Sequence, residues 1–233
     1  MSVPAPTPIR EYRQADSKLF ADIRASRQPA VLRGLAKNWP AVRAALTSDE
    51  ALIDYLQPFM TEQQVSALVG PPEIGGRFFY KDDLSGLNFQ HVRSAVSQIL
   101  DRLLRDRSEP RPFAMAIQSE AIPGLLPGFE LQNHVSLLTP DVVPRAWIGN
   151  RVHVATHYDL QENVGVVVAG RRRFTLFPPD QIANLYPGPF ELTPGGTPVS
   201  MVDPDNPDLD RYPNYAEAAA SAQQSELEPG DAI

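Results

Sequence analysis

The stretch RVHVATHYDLQENVGVVVAGRRRFTLF, residues 151–177, decides the fold. Three runs within it, Arg151 to His157, Asn163 to Val168 and Arg173 to Phe177, are short and rich in valine and aromatics, with polar or glycine breaks between them. Such runs read as strands. Phe113 to Gln118 and Arg145 to Ile148 read the same way. Downstream come a helical turn from Pro179 to Tyr186, an irregular proline-rich stretch from Pro187 to Pro213, a short helix from Tyr215 to Ser221, and a strand starting at Glu226-Leu227. The first half has a different character. Asp16 to Arg27 has helical spacing, with Leu19, Phe20 and Ile23 on one face. Pro29 to Gly34 and Gln64 to Val69 read as strands, and Ser48 suits the N-cap of a helix carrying Leu52, Ile53 and Leu56. From Phe89 to Arg105, the residues Val92, Val96, Ile99, Leu100 and Leu103 fall at helical intervals. Helices early and strands late predict an α+β, mainly β domain. Residues 1–110 form its helical and mixed layer, and residues 111–233 its strand-rich part.

Composition narrows the function. The chain of 233 residues is 42% hydrophobic, enough for a sizeable core, and carries a net charge of −7. That charge argues against nucleic acid as a partner, since phosphate binding needs clustered Lys and Arg. No window is long and apolar enough to span a membrane. The start, Met1-Ser2-Val3-Pro4-Ala5-Pro6, lacks the basic and apolar regions of a signal peptide. Cysteine is absent, which excludes disulfides and thiolate zinc sites and makes a cytoplasmic location the expectation. The 24 prolines suit short strands and structured loops better than long helices.

Thr156-His157-Tyr158-Asp159 ends a predicted strand. Side chains at i and i+2 of a strand share a face, so His157 and Asp159 converge while Tyr158 points away. An imidazole nitrogen beside a carboxylate oxygen supplies two legs of a 2-His-1-carboxylate facial triad, which leaves open positions on a non-heme iron. The same pair also reads as a surface histidine and a turn aspartate. Further on, Gly170 turns the chain into Arg171-Arg172-Arg173. One of these arginines could face a barrel interior and hold a carboxylate in bidentate fashion. The run reads equally as a solvated hairpin end.

The segment from His157 to Asp180, with Leu185-Tyr186-Pro187, Asp205-Asn206-Pro207-Asp208 and Pro229-Gly230-Asp231, resembles the JmjC/cupin-like oxygenases. The resemblance is strongest to the group containing the asparaginyl hydroxylase that inhibits hypoxia-inducible factor. Trp39-Pro40 and Arg77-Phe78-Phe79-Tyr80-Lys81-Asp82-Asp83 are similar to bacterial cupin-like members. The resemblance implies a double-stranded β-helix, a jelly roll with the metal inside one end, here lacking its last strands. It implies an iron(II)- and 2-oxoglutarate-dependent hydroxylase acting on a protein or peptide side chain or a small molecule. His157 and Asp159 become metal ligands, Arg172 and Asn163 cosubstrate contacts, and Gln118 a substrate contact.

The sequence departs from that pattern in places. Arg172 stands where the hydroxylase has lysine, Ala116 where it has a cosubstrate-binding tyrosine, and Val154 where it has threonine. The loop Gly195 to Ser200 lacks the Arg-Gln pair that holds a target asparagine. The third ligand, a histidine, is expected beyond Ile233, so the chain as given is expected to be inactive. His153 lies four strand residues from His157, roughly 13 Å away, too far to share an ion. His134 reads as a surface residue, and His91 as the start of a helix. A homodimer formed through C-terminal segments is also implied. The alternative function is a cupin-like metal-binding protein without oxygenase activity, used for binding, sensing or isomerisation.

Overall fold

Two of the helices start at a capping side chain, Asp16 and Ser48. The computed structural model describes residues 3–233. Strands β1 (Thr7–Pro8) and β2 (Arg10–Arg13) lead to helix α1 (Ser17–Ser26) and strand β3 (Ala30–Arg33). The Asp16 carboxylate caps α1 by accepting from the Leu19 N–H at 2.8 Å. Next come α2 (Pro40–Thr47), α3 (Asp49–Leu56), β4 (Gln64–Gly70), β5 (Arg77–Phe78), β6 (Gln90–Ala95), α4 (Val96–Asp106), β7 (Ala114–Ala121), α5 (Ile122–Leu125), β8 (Arg145–Gly149) and β9 (His153–Val154). Ser48 caps α3 by accepting from Ala51 N–H at 3.0 Å, and Asp49 and Glu50 in the first turn favour the same end of its dipole. The chain closes with β10 (Arg172–Leu176), α6 (Tyr215–Ala220) and β11 (Gln223–Leu227).

Two compact units result. One joins the segment ending at Leu35 to Ala155–Ile233, and the other is Ala36–Val154. Residue 110 lies inside the second unit, where β4 pairs with β7 across that position, Ala67 opposite Ile117. The second unit holds a four-stranded antiparallel sheet in the order β6-β4-β7-β8. Leu68, Phe78, Phe89, Ala114 and Ala116 form its buried cluster. In the first unit β11 lies between β1 and β10, and Ile9, Val31, Val167 and Leu227 pack with Phe174, Leu176 and Ile233. Each such side chain, fully removed from water, contributes about 1.5–3 kcal/mol. Helices and antiparallel sheets together give the α+β jelly-roll class that the sequence implies. Among the described residues no helix is long and apolar enough to cross a membrane.

Three sequence expectations need correction. The helix read from Phe89 starts only at Val96, because Gln90–Ala95 is β6, running antiparallel to β4 from Gln64↔Ala95 to Val69↔Gln90. The exposed edge of β4 takes these residues as its ladder partner, and Val92 stays half exposed, not buried as on a helix face. The strand read from Arg151 to His157 shrinks to His153–Val154, paired in parallel with β5. The stretch Asn163 to Val168 carries one isolated bridge, Val166↔Ala232. Around it Gly165 N–H donates to Ile233 O at 2.8 Å, Ile233 N–H to Gly165 O at 3.0 Å, and Val167 N–H to Asp231 O at 2.9 Å.

The turn feeding that ladder is tightly held. Gly230 has φ +97°, a conformation that favours glycine. Asp231 accepts from Gly34 N–H at 2.8 Å, from Arg33 Nη1 at 2.6 Å and from Glu228 N–H at 3.1 Å. Burial works to raise the Asp231 pKa, but these donors outweigh it and hold the carboxyl below its ordinary value.

Candidate metal centre

His157 and Asp159 lie in a segment with no regular secondary structure, between β9 and the extended residues 165–167. The alternation of a strand is therefore not what brings them together. They converge all the same, with His157 Nε2 3.6 Å from Asp159 Oδ1. Two donors on one ion, at bonds of about 2.0–2.2 Å, sit about 3–3.5 Å apart, close to this separation.

The far side of each of the two residues is already engaged. His157 Nδ1 lies 2.8 Å from the carbonyl oxygen of Ala155. A carbonyl only accepts, so Nδ1 carries the hydrogen. In the neutral ring Nε2 then presents a lone pair toward Asp159. The other carboxylate oxygen, Oδ2, accepts from Asn163 Nδ2 at 2.8 Å. With the ring in that neutral form, two acceptor atoms face one another across a gap too wide for a good hydrogen bond, an arrangement a cation would relieve. The ring's second nitrogen held by a backbone carbonyl is the usual support for a metal-binding histidine.

The loop carrying these residues is cross-linked. Ser200 N–H donates to Thr156 O at 2.7 Å, and the Thr197 hydroxyl to Tyr158 O at 3.1 Å. Arg24 on α1 grips Glu162 through Nε at 3.1 Å and Nη2 at 2.6 Å. Ala155, Thr197, Arg24 and Glu162 escaped the sequence reading. A backbone carbonyl leaves no trace in residue type, and an arginine 138 positions from its glutamate has no local pattern to show it.

Arg172 sits on β10 opposite Leu227 of β11, and Arg173 opposite Glu226. Leu227 is fully buried and Glu226 exposed. Arg172 therefore shares the inward face with Phe174, which packs in the core, while Arg173 faces outward. Its guanidinium is crowded enough that desolvation pushes its pKa down, although part of the side chain still reaches solvent. Among the described residues no carboxylate pairs with it, whereas Arg173 pairs with Asp205 at 2.7 Å.

Gln118 belongs to the other unit. It is half buried on β7, within the register shift between Ile117 and Glu120. His91 lies on β6, not at a helix start, with Nδ1 3.1 Å from the Ser66 hydroxyl. His134 is exposed, and its carbonyl accepts from Trp39 Nε1 at 3.0 Å. His153 is on β9 in the second unit. Among the described residues no group of three or more His, Cys, Asp or Glu could hold a metal ion; the structure brings His157 and Asp159 together as a pair.

The model of the family described as "Cupin-like domain" matches residues 16–233. The chain is 28% identical to the human bifunctional peptidase and (3S)-lysyl hydroxylase JMJD7, across 92% of this chain and 71% of that protein. It is 26% identical to lysine-specific demethylase 8 of Danio rerio, across 89% of this chain and 48% of that protein. A shorter likeness, 37% over 78 residues, links it to the tRNA wybutosine-synthesizing protein 5 of Gallus gallus, covering 34% of this chain and 22% of that protein.

Proposed function

The chain belongs to the cupin-like domain family, and from that premise we propose that it is an iron(II)- and 2-oxoglutarate-dependent oxygenase of the JmjC type that hydroxylates a protein side chain. The observation that carries this reading is the facing pair His157 Nε2 and Asp159 Oδ1, each with its other polar atom already bonded. An imidazole and a carboxylate fit a non-heme iron site with open positions. Bound there, iron with 2-oxoglutarate and oxygen would supply the oxidising chemistry that the side chains lack.

The chain's own residues orient and exclude. Arg172 is the group for the far carboxylate of 2-oxoglutarate: inward-facing, partly desolvated and without a counter-ion among the described residues. Charge-assisted bonds from a guanidinium are strong and geometrically selective. The Ala155 carbonyl keeps the Nε2 lone pair of His157 available by holding the ring hydrogen on Nδ1. A third ligand is proposed on a continuation past Ile233.

The substrate is a finer matter. The motifs around His157 support kinship with the asparaginyl hydroxylase group, whereas the relatives matched along most of this chain are named for lysine. We take a lysine side chain in a peptide as the first substrate to test and Gln118 as a candidate contact for it. The test is succinate formation from 2-oxoglutarate with iron(II) and ascorbate, in a chain extended past Ile233, with and without lysine-containing peptides. Turnover abolished by His157→Ala supports the reading. Metal binding without any 2-oxoglutarate turnover would instead favour a cupin-like binding protein.

A further inference from the structure

We infer that Asn163 is a positioning residue for the metal-binding carboxylate, acting before any cosubstrate is present; this rests on the reading of His157 and Asp159 as metal ligands. Resemblance assigns Asn163 to the cosubstrate, but the structure gives its side-chain amide another partner. Asn163 Nδ2 donates to Asp159 Oδ2 at 2.8 Å, and Oδ1 is the oxygen left facing His157 Nε2.

A carboxylate has two equivalent oxygens and rotates freely unless one is held. In a strand, packing would limit that rotation. Here Asp159 lies in an irregular segment and its side chain is 60% exposed, so nothing else along the loop fixes its plane. With Oδ2 given to the amide, Oδ1 alone turns toward the ion, which favours one-oxygen ligation and leaves a neighbouring position open. Asn163 is itself steadied by the next residue along, since Glu162 is gripped by Arg24 from α1. An amide group carries two N–H donors and one acceptor, so holding Asp159 leaves capacity for a cosubstrate as well. The distinguishing property is that Asn163 matters for metal affinity when 2-oxoglutarate is absent.

The experiment measures manganese(II) binding to this chain by the electron paramagnetic resonance signal of the free ion, with no 2-oxoglutarate. The variants are Asn163→Leu, Asn163→Gln and His157→Ala. Partners of ligating groups typically change metal affinity by roughly 10- to 100-fold, and the exposure of this site places the expected loss in Asn163→Leu near the lower end, about tenfold. Asn163→Gln keeps the donor and should recover most of that loss, which a packing role would not predict. Asn163 is exposed, so both variants should fold, and far-ultraviolet circular dichroism checks this. If Asn163→Leu binds manganese(II) as tightly as the unaltered chain and loses only affinity for added 2-oxoglutarate, Asn163 is a cosubstrate contact and the inference fails. If the unaltered chain shows no binding that His157→Ala removes, the metal reading itself fails and takes this inference with it.

Discussion

The two halves of the candidate site are held by different physics. Arg172 sits on a strand whose ladder with β11 fixes every neighbour, and its direction follows from Leu227 lying opposite it in the core. His157 and Asp159 sit in a segment without a ladder, held by single bonds from Ala155, Asn163 and Thr197. Strand geometry is redundant: losing one side chain leaves the backbone direction intact. The loop has no such redundancy, so small changes there should reach His157 and Asp159 directly.

The largest effect is expected at the loop's end point. His157→Ala removes one of the two proposed donors and leaves Asp159 with Asn163 alone. Metal binding should fall by more than 100-fold, about 3 kcal/mol or more, whereas His153→Ala, on β9 in the other unit, should change it little. Isothermal titration with manganese(II) distinguishes the two, and equal losses would mean that the ion lies elsewhere.

On the strand side, Arg172→Ala should weaken 2-oxoglutarate binding in an extended, active chain by about 10- to 100-fold, the worth of hydrogen bonds to a charged group. Arg173→Ala should leave it within about twofold, because that side chain serves Asp205 on the outer face. Equal responses at the two positions would break the contrast between the inward and outward faces of β10.

The ease of reading the sequence divides along the same line. Alternation along a strand required adjacent arginines to face opposite sides, a property of the residues themselves, and the resemblance picked Arg172 as the one for the cosubstrate. Ser48 marked a helix start for a similarly local reason: an oxygen at the right spacing satisfies a free N–H, as the structure also shows for Asp16. The helix boundary at Val96 was not legible, since Gln90–Ala95 becomes a strand only because β4 offers it an edge. The convergence of His157 with Asp159 was anticipated through strand parity, yet the structure achieves it without a strand. Hydrogen bonds to a carbonyl and an amide, which spacing cannot reveal, do the holding. Asn163 and Asp159 were both noticed, but the hydrogen bond between them was not.

Two arginine–carboxylate contacts sharpen the comparison through stability. On the ladder side Arg33 and Asp231 are 19% and 12% exposed. Asp231→Asn keeps the shape but removes the charge opposite Arg33, and should cost about 2 kcal/mol. The pH dependence has a definite sign. The folded carboxyl titrates below its ordinary value, so its contribution is complete above the ordinary carboxylate range and is lost as pH falls through the lower, folded value. Urea melts of the unaltered chain should therefore weaken below about pH 4 more steeply than those of Asp231→Asn. Parallel acid profiles would show that Asp231 is not the group responsible.

The smallest effect belongs to the loop's own ion pair. Arg24 and Glu162 meet at 2.6 Å, but their side chains are 61% and 73% exposed. Water screens such a pair, and holding two long side chains in one geometry costs entropy, so contacts of this kind contribute about 0–1 kcal/mol. Arg24→Ala should therefore leave the midpoint of global unfolding nearly unchanged. Its consequence should be local. Without Arg24, the segment from Tyr158 to Asn163 loses its tie to α1, and its amides should exchange with deuterium faster while those of β10 and β11 do not. That pattern would establish the loop as a region whose order depends on exposed single contacts. A global destabilisation as large as that of Asp231→Asn would contradict it, because the loop would then be coupled to the core as firmly as the strands are.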